Sequence, residues 1–167
     1  AGAQVLDYTG YQIAPGLVDT HIHGFAGHDV MDNSAEGMLA MSQALPSMGV
    51  TSYLPTTLTS SFEHLRDVSA TVASVVDTTD GAKIQGIYFE GPYFTEKYKG
   101  AQNAAYMKDP SLEEFKIWQE AAQGLIKKIA LAPERQGVEE FVSNLTKQGV
   151  TVALGHSNAT YEEAQAA

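Results

Sequence analysis

Cysteine is absent from this 167-residue chain. Without thiols the chain can form neither a disulfide nor a thiolate metal site, so any metal it binds must be held by histidine and carboxylate side chains. Positive charge is also scarce, because 10 basic residues face 20 acidic ones and give a formal net charge of −10. This balance argues against a nucleic-acid partner, although a local pocket can still bind a small phosphorylated molecule.

Long apolar runs are missing as well. No stretch approaches the roughly 18 consecutive apolar residues of a membrane span, and the first residues lack the basic and apolar succession of a secretory signal. We therefore expect no membrane association and a cytoplasmic location. Hydrophobic residues make up 44% of the chain and charged residues 18%, which is typical of a globular protein with one sizeable core.

Segments rich in β-branched residues alternate along the chain with segments of helical period. Strands are predicted at 17–18, 49–55, 83–90, 128–133 and 150–155. Helices are predicted within 34–48, from Ser60, from Ser111, at 138–147 and from Thr160. Each of these three hydroxyl residues precedes a glutamate by three positions, as in a capping box. Units of roughly thirty residues in this order predict a parallel sheet covered by helices.

His21 and His23 follow the first predicted strand, a short apolar segment that we expect to be buried. Side chains alternate along a strand, so the two imidazoles should point the same way at its end. Imidazole nitrogens suit zinc and other first-row metals. An isolated His-x-His is equally compatible with two polar residues that cap a strand, so the pair needs partners elsewhere in the chain.

Further polar side chains follow the later strands. Glu90 ends the third predicted strand, Glu134 follows the fourth and His156 the fifth. These are the positions from which a parallel barrel builds its active site, and they favour a barrel over an open doubly wound sheet. A carboxylate buried at Glu90 needs a cation or hydrogen bonds, although a salt bridge or a loop cap would also satisfy it. Glu134 is a reserve ligand, with a helix cap or a salt bridge as the alternative.

Four segments resemble, in order, the successive motifs of the N-acetylglucosamine-6-phosphate deacetylases, a branch of the amidohydrolase superfamily. The segments are 15–24 (PGLVDTHIHG), 89–93 (FEGPY), 131–134 (LAPE) and 154–160 (LGHSNAT). The resemblance implies an α/β fold, a parallel (β/α)8 TIM-type barrel of which residues 15–167 supply about the first five βα units. It implies that residues 1–14 are the end of a small β-sandwich domain or a linker, and that the full-length protein is a homodimer.

The resemblance also implies metal-dependent hydrolysis of N-acetylglucosamine 6-phosphate to glucosamine 6-phosphate and acetate. Glu90 and His156 match family metal ligands, and His21 and His23 match the pair of members that hold a second metal. One or two divalent ions are expected, zinc or iron first, then manganese or cobalt. Gln102, where many relatives have histidine, and Asn103 are predicted to bind the substrate, a small amino-sugar phosphate.

No catalytic acid or base is assigned within the chain, since the family's aspartate is expected beyond Ala167. We therefore expect this chain to be a piece of a longer protein and to be inactive alone. Two alternatives stay open at this point. One is another amidohydrolase, such as a cyclic amidase or a deaminase, and the other is a non-catalytic module that binds metal or serves assembly.

Overall fold

The structure, a computed structural model that describes residues 2–167, is organised around one curved sheet of parallel strands. The strands are β1 (Leu17–Ile22), β2 (Gly24–Phe25), β3 (His28–Asp29), β4 (Val50–Thr57), β5 (Lys83–Ile84), β6 (Ile87–Glu90), β7 (Ile126–Leu131) and β8 (Thr151–Leu154). The helices are α1 (Ala35–Ala44), α2 (Phe62–Val75), α3 (Leu112–Ala121), α4 (Val138–Lys147) and α5 (Tyr161–Ala166). Short 3-10 helices lie at Val30–Asp32, Leu45–Met48, Glu96–Tyr98 and Ala104–Tyr106.

The strands of the main sheet follow one another in chain order. Their sequence is β1, β4, β6, β7, β8, every neighbouring pair is parallel, and β5 adds a short parallel contact to β4. Helices lie between consecutive long strands, while β2 and β3 form a small antiparallel hairpin. The predicted parallel α/β arrangement is therefore confirmed. All the carboxyl ends of the main strands lie along one rim, where residues far apart in sequence can meet.

The core forms on both faces of this sheet. Phe89 in β6 faces the helices, where its ring lies 5.4 Å from that of Trp118 in α3. Tyr88, next to it in the strand, points to the opposite face, since successive strand side chains alternate. There it packs with Phe94 and Ala130 in a separate apolar cluster. The helix layer thus buries one face of the sheet, whereas the smaller cluster around Tyr88 packs on the opposite face.

Helix starts follow the predicted capping chemistry with one exception. Thr160 and Glu163 form a reciprocal capping box at α5, and the Ser111 hydroxyl accepts from the backbone N–H of Glu114 at α3. The prediction that Ser60 caps α2 is wrong by one residue. Ser61 is the N-cap, and its hydroxyl accepts from the N–H of His64. Two adjacent serines offer the same chemistry, and only the chain direction at the turn selects one of them.

Three strand predictions also need correction. β4 runs through Pro55 to Thr57 rather than ending at the proline. The segment predicted as one strand at 83–90 is divided into β5 and β6. Between them the backbone at Gly86 lies so close to Lys127 that a Cβ there would lie 2.4 Å from the Lys127 side chain. Leu17 and Val18 are 62% and 61% exposed, not buried, because β1 lies at the edge of the described sheet and pairs with β4 alone.

The segment before β1 contains no helix or strand among the residues that the structure describes. Val5, Tyr11 and Ile13 in this segment are exposed. Its assignment to a second domain or a linker, with a boundary between residues 14 and 15, stays a prediction. Within residues 2–167, no helix is both long and apolar enough to cross a membrane.

Candidate metal centre

Four side chains from three strands meet at the carboxyl rim of the sheet. β1 ends at Ile22 and delivers His21 and His23, β6 ends with Glu90, and His156 comes two residues after β8. The parallel register carries these ends to the same level. The predicted convergence of the histidine pair with the acid and the later histidine is therefore present in the structure.

The distances centre on the Glu90 carboxylate, whose residue is only 7% exposed. The Nε2 atom of His23 lies 3.0 Å from Oε2 of Glu90, and those of His21 and His156 each lie 3.3 Å from Oε1. The Nε2 atoms of His21 and His23 are 3.3 Å apart. Three imidazole nitrogens thus surround one buried acid.

Two backbone carbonyls determine which ring nitrogen carries the proton. Nδ1 of His23 lies 3.1 Å from the carbonyl oxygen of Thr56, and Nδ1 of His156 lies 3.0 Å from that of Tyr98. A carbonyl oxygen can only accept, so each Nδ1 must donate its hydrogen. In a neutral imidazole this leaves a lone pair on Nε2, and both lone pairs then face the carboxylate. This second contact is the usual way in which proteins orient a metal-binding histidine.

Lone pairs facing a carboxylate are mutually repulsive unless a positive charge lies between them. Either the imidazoles are protonated or a cation occupies the cluster. Burial alone would raise the pKa of Glu90, but the hydrogen bond from His23 and the charges of His21 and His23 lower it to about 2. The hydrogen bond to Glu90 in turn raises the pKa of His23 above its usual value. Electrostatically, the site attracts positive charge.

The donor set fits a divalent metal ion. One ligand atom from each of His21, His23 and Glu90 lies within 4.8 Å of the others. His156 joins this group through the shared oxygen of Glu90. Nitrogen and carboxylate donors without thiolate suit zinc, iron, manganese and cobalt, so the residues do not select among these ions.

His156 reaches the cluster through an unusual backbone conformation. Its φ is +48°, in the left-handed region that residues other than glycine seldom adopt. The ring packs on Phe94 at a centroid distance of 4.5 Å, and the carbonyl oxygen accepts from the N–H of Thr95 at 3.0 Å. The loop after β6 therefore contacts both the ring and the backbone carbonyl of His156.

Gln102 lies beside the acid rather than in the open part of the site. It is 3% exposed, its Nε2 donates to Oε2 of Glu90 at 2.9 Å, and its Oε1 accepts from the N–H of Thr59 at 2.7 Å. In Asn103 the Oδ1 accepts from the N–H of Ala105 at 3.0 Å. Both ends of the Gln102 amide are thus held by protein groups, and the predicted contacts of Gln102 and Asn103 with substrate stay predictions.

Glu134 does not join the metal-binding group. Its two oxygens accept from the hydroxyls of Thr95 and Ser157 and from the N–H of Asn158. Partial burial opposes ionisation, yet these hydrogen bonds hold the pKa of Glu134 below its usual range. Among the residues that the structure describes, Glu134 neither caps α4 nor forms an ion pair, and the expected reserve ligand is instead a bridge between two loops.

Sequence reasoning missed several groups that shape the site. The carbonyls of Thr56 and Tyr98 belong to the backbone and have no side-chain signature. Tyr88 lies edge-on to His21 with a centroid distance of 5.0 Å, and Lys128 places its Nζ 4.0 Å from the centre of the Tyr88 ring. The position of Tyr88 two residues before Glu90 was the one signal available, because it places both side chains on the same face of β6.

Comparisons with known proteins show what this chain is similar to. The profile of the amidohydrolase family matches residues 13–167. An N-acetylglucosamine-6-phosphate deacetylase from Vibrio furnissii is 42% identical over 156 residues, which cover 93% of this chain and 39% of that protein. An N-acetylgalactosamine-6-phosphate deacetylase from Escherichia coli O157:H7 is 35% identical over 156 residues, 93% of this chain and 41% of that protein.

A solved structure shows the same fold. The D-to-A mutant of N-acetyl-D-glucosamine-6-phosphate deacetylase from Mycobacterium smegmatis, in complex with N-acetyl-D-glucosamine-6-phosphate, matches with a TM-score of 0.80 at 30% identity. The match covers 91% of this chain and 39% of that one. The chain therefore spans about two fifths of the length of these relatives. The predicted (β/α)8 TIM-type architecture is confirmed, with five successive parallel strands of the barrel in this chain.

Proposed function

Because the chain belongs to the amidohydrolase family, we propose that it supplies the metal centre of a deacetylase that acts on N-acetylglucosamine 6-phosphate. The products are glucosamine 6-phosphate and acetate. The observation that carries this proposal is the position of Glu90. Its buried carboxylate oxygens lie 3.0 to 3.3 Å from the Nε2 atoms of His21, His23 and His156. The relative from Vibrio furnissii, 42% identical over 156 residues, carries the name of this activity.

The arrangement of the ligands favours two cations. Oε1 of Glu90 lies 3.3 Å from Nε2 of His21 and equally far from Nε2 of His156. One oxygen of this carboxylate is therefore shared by a member of the histidine pair and by the third histidine. We propose that His21, His23 and Glu90 hold one ion and that Glu90 and His156 contribute to a second. Zinc or iron is proposed first, then manganese or cobalt.

Each residue of the metal centre has a defined role in this proposal. Divalent ions held here would supply a hydroxide nucleophile near neutral pH and polarise the acetamide carbonyl. The carbonyls of Thr56 and Tyr98 keep the protons of His23 and His156 on Nδ1, so that Nε2 stays available. Gln102 fixes the plane of the Glu90 carboxylate. The amide nitrogen leaves only when protonated, and we assign that proton to an aspartate of a later barrel strand.

The remaining partner assignments are part of the same proposal. The substrate is a small amino-sugar phosphate, with Gln102 and Asn103 as candidate contacts. The formal charge of −10 disfavours nucleic acid as a partner. A homodimer of the full-length protein is proposed from the family resemblance alone.

A second substrate has a specific observation in its favour. The relative from Escherichia coli O157:H7 is named for N-acetylgalactosamine 6-phosphate and is 35% identical over nearly the whole chain. The two sugars differ only in the orientation of one hydroxyl, whereas the acetamide and the phosphate are the same. The metal centre described here would act equally on both, so the choice belongs to groups that contact the sugar ring.

Acetate release by the full-length protein tests the proposal. Both amino-sugar phosphates are assayed with the wild type, after removal of metal by a chelator, and with Glu90→Gln. We expect hydrolysis that is abolished by chelation, restored by a divalent metal, and lowered at least 100-fold in kcat/KM by Glu90→Gln. Glu139→Gln, the same change at an exposed position of α4, serves as the matched control.

The outcome also separates the alternatives. A wild type that binds metal but hydrolyses neither sugar phosphate would contradict the deacetylase. Turnover of a cyclic amide or of adenine instead would indicate another amidohydrolase, and bound metal without turnover of any substrate would indicate a non-catalytic module.

A further inference from the structure

We propose that Glu134 is a positioning residue that locks two loops together and thereby places His156 for metal binding. This inference rests on the metal centre of the proposed function but not on its substrate. Glu134 follows β7 by three residues and lies between the loops after β6 and β8. It does not belong to the group of side chains whose ligand atoms converge.

Glu134 receives three hydrogen bonds from residues of two different loops. Oε1 accepts from the hydroxyl of Thr95 at 2.5 Å and from the N–H of Asn158 at 2.6 Å. Oε2 accepts from the hydroxyl of Ser157 at 2.7 Å. An ionised carboxylate is a pure acceptor with room for all three donors, whereas an amide or a hydroxyl is not. The three donors thus require this residue type.

Both anchored loops act directly on His156. Ser157 and Asn158 are the next two residues of the chain, so their bonds to Glu134 hold the backbone immediately after the metal ligand. On the other side, the N–H of Thr95 donates to the carbonyl oxygen of His156 at 3.0 Å, and the Tyr98 carbonyl accepts from its Nδ1. Glu134 therefore connects the two segments that fix the backbone and the ring of His156.

The backbone of His156 explains why such a lock is needed. A φ of +48° is unfavourable for a residue with a side chain and persists only where the surroundings impose it. Lys97 adds a further link between the same loops, since its Nζ donates to Oδ1 of Asn158 at 2.7 Å. If the loops separate, the His156 backbone can relax and its Nε2 moves away from Glu90. The expected consequence is weaker metal binding at an otherwise intact fold.

The test measures metal affinity rather than activity. In the full-length protein, we compare wild type, Glu134→Ala and Thr95→Val by zinc competition against a chelator and by the absorption spectrum of the cobalt form. Changes to groups that orient metal ligands typically cost 10- to 100-fold in affinity. We expect about a tenfold loss for Glu134→Ala, with a changed cobalt spectrum, and a smaller loss for Thr95→Val.

The variants are chosen so that each result decides the matter. Thr95→Val removes one hydroxyl, keeps the Thr95 N–H that donates to His156, and leaves Glu134 itself unchanged, so it also serves if Glu134→Ala does not fold. Glu139→Gln, an exposed acid in α4, is expected to bind zinc within twofold of wild type. Wild-type affinity in both test variants, whatever their melting temperatures, would overturn the proposal.

Two further results have a defined meaning. A loss in Glu134→Ala with no loss in Thr95→Val would show that the bonds to Ser157 and Asn158 suffice, and would overturn the link to the loop after β6. A wild type that binds zinc but does not release acetate contradicts the proposed deacetylase and leaves the positioning role standing. Failure of the function and failure of this inference therefore remain distinguishable.

Discussion

Among the three imidazoles around Glu90, His23 lies nearest to it, at 3.0 Å, and protonation of either group opposes metal binding. The pKa of His23 is raised by its hydrogen bond to Glu90, so in the metal-free protein an imidazolium forms at higher pH than usual. The pKa of Glu90 is lowered to about 2, and this acid stays ionised throughout the neutral range. Below the raised pKa of His23, a metal ion must therefore displace a proton from this imidazole, whereas it displaces none from Glu90.

The stability of the metal-free protein and its affinity for zinc should change with pH in opposite directions. The raised pKa of His23 stabilises the metal-free fold fully below the ordinary histidine pKa of 6.5, and this contribution is lost as pH rises through the raised pKa. The lowered pKa of Glu90 stabilises the fold above 4.5 and this is lost only as pH falls towards about 2. Between pH 6 and 9 we expect metal-free melting temperatures to fall and zinc affinity to rise. Zinc affinity that is constant across this range would contradict the assignment.

Gln102 offers a second prediction at the level of a single residue. Gln102→Leu removes the donor to Glu90 and leaves the N–H of Thr59 without its acceptor, at a site that is 3% exposed. A buried unsatisfied group costs about 1–3 kcal/mol of unfolding free energy, measurable by urea denaturation of the metal-free protein. A parallel fall in zinc affinity would support the orientation of Glu90. A raised KM at unchanged zinc affinity would support the predicted substrate contact instead.

At the level of elements, the turn after β6 directs the chain away from the sheet immediately behind Glu90. Gly91 has a φ of +94°, and a Cβ there would lie 2.2 Å from Oγ1 of Thr59. Gly124 has a similar φ of +82° but open space around it. Gly91→Ala therefore combines backbone strain with a collision, whereas Gly124→Ala has the strain alone.

We expect Gly124→Ala to lose about 1 kcal/mol of unfolding free energy and Gly91→Ala at least about 2 kcal/mol more. Urea denaturation of both variants provides the comparison. Equal losses would show that Thr59 can move away and that the turn is not closely packed.

The start of α2 gives a matched pair of adjacent serines. The Ser61 hydroxyl accepts from the N–H of His64, so Ser61→Ala leaves one helical N–H without its cap. Loss of an N-cap costs about 1 kcal/mol, whereas Ser60→Ala should change stability by less than about 0.5 kcal/mol. Thermal denaturation distinguishes the two. The reverse order would restore the capping position that the sequence alone suggests.

At the scale of the whole molecule, the curved sheet has two uncovered edges among the described residues. β1 pairs only with β4 and β8 only with β7. Leu17 and Val18 at one edge and Leu154 at the other are exposed, which is costly for apolar strand residues. Unpaired strand edges of this kind are templates for pairing with another chain.

We therefore expect residues 1–167, produced alone, to self-associate and to release no acetate from N-acetylglucosamine 6-phosphate. Light scattering coupled to size-exclusion chromatography reports the association, and the acetate assay reports the activity, with the full-length protein as control. A monodisperse monomer would contradict the first expectation. Turnover at the full-length rate would contradict the second.

The sequence by itself determined the alternation of strands and helices and the residues that end the strands. Once the strands are parallel, their carboxyl ends share one rim, so His21, His23, Glu90 and His156 had to approach one another. Regular periodicity and the positions of charged side chains are enough for that inference, because both are written in residue types.

Only the tertiary structure decided how the site is held. The carbonyls of Thr56 and Tyr98 orient two histidines, but every residue has a carbonyl, and its use depends on where the backbone runs. The bonds from Glu134 to two loops, and from Gln102 to Glu90, join residues distant along the chain. Such contacts depend on how loops pack, and the exposure of Leu17 depends on which strands lie beside β1. Local residue patterns carry no information on how loops pack or on which strands are neighbours.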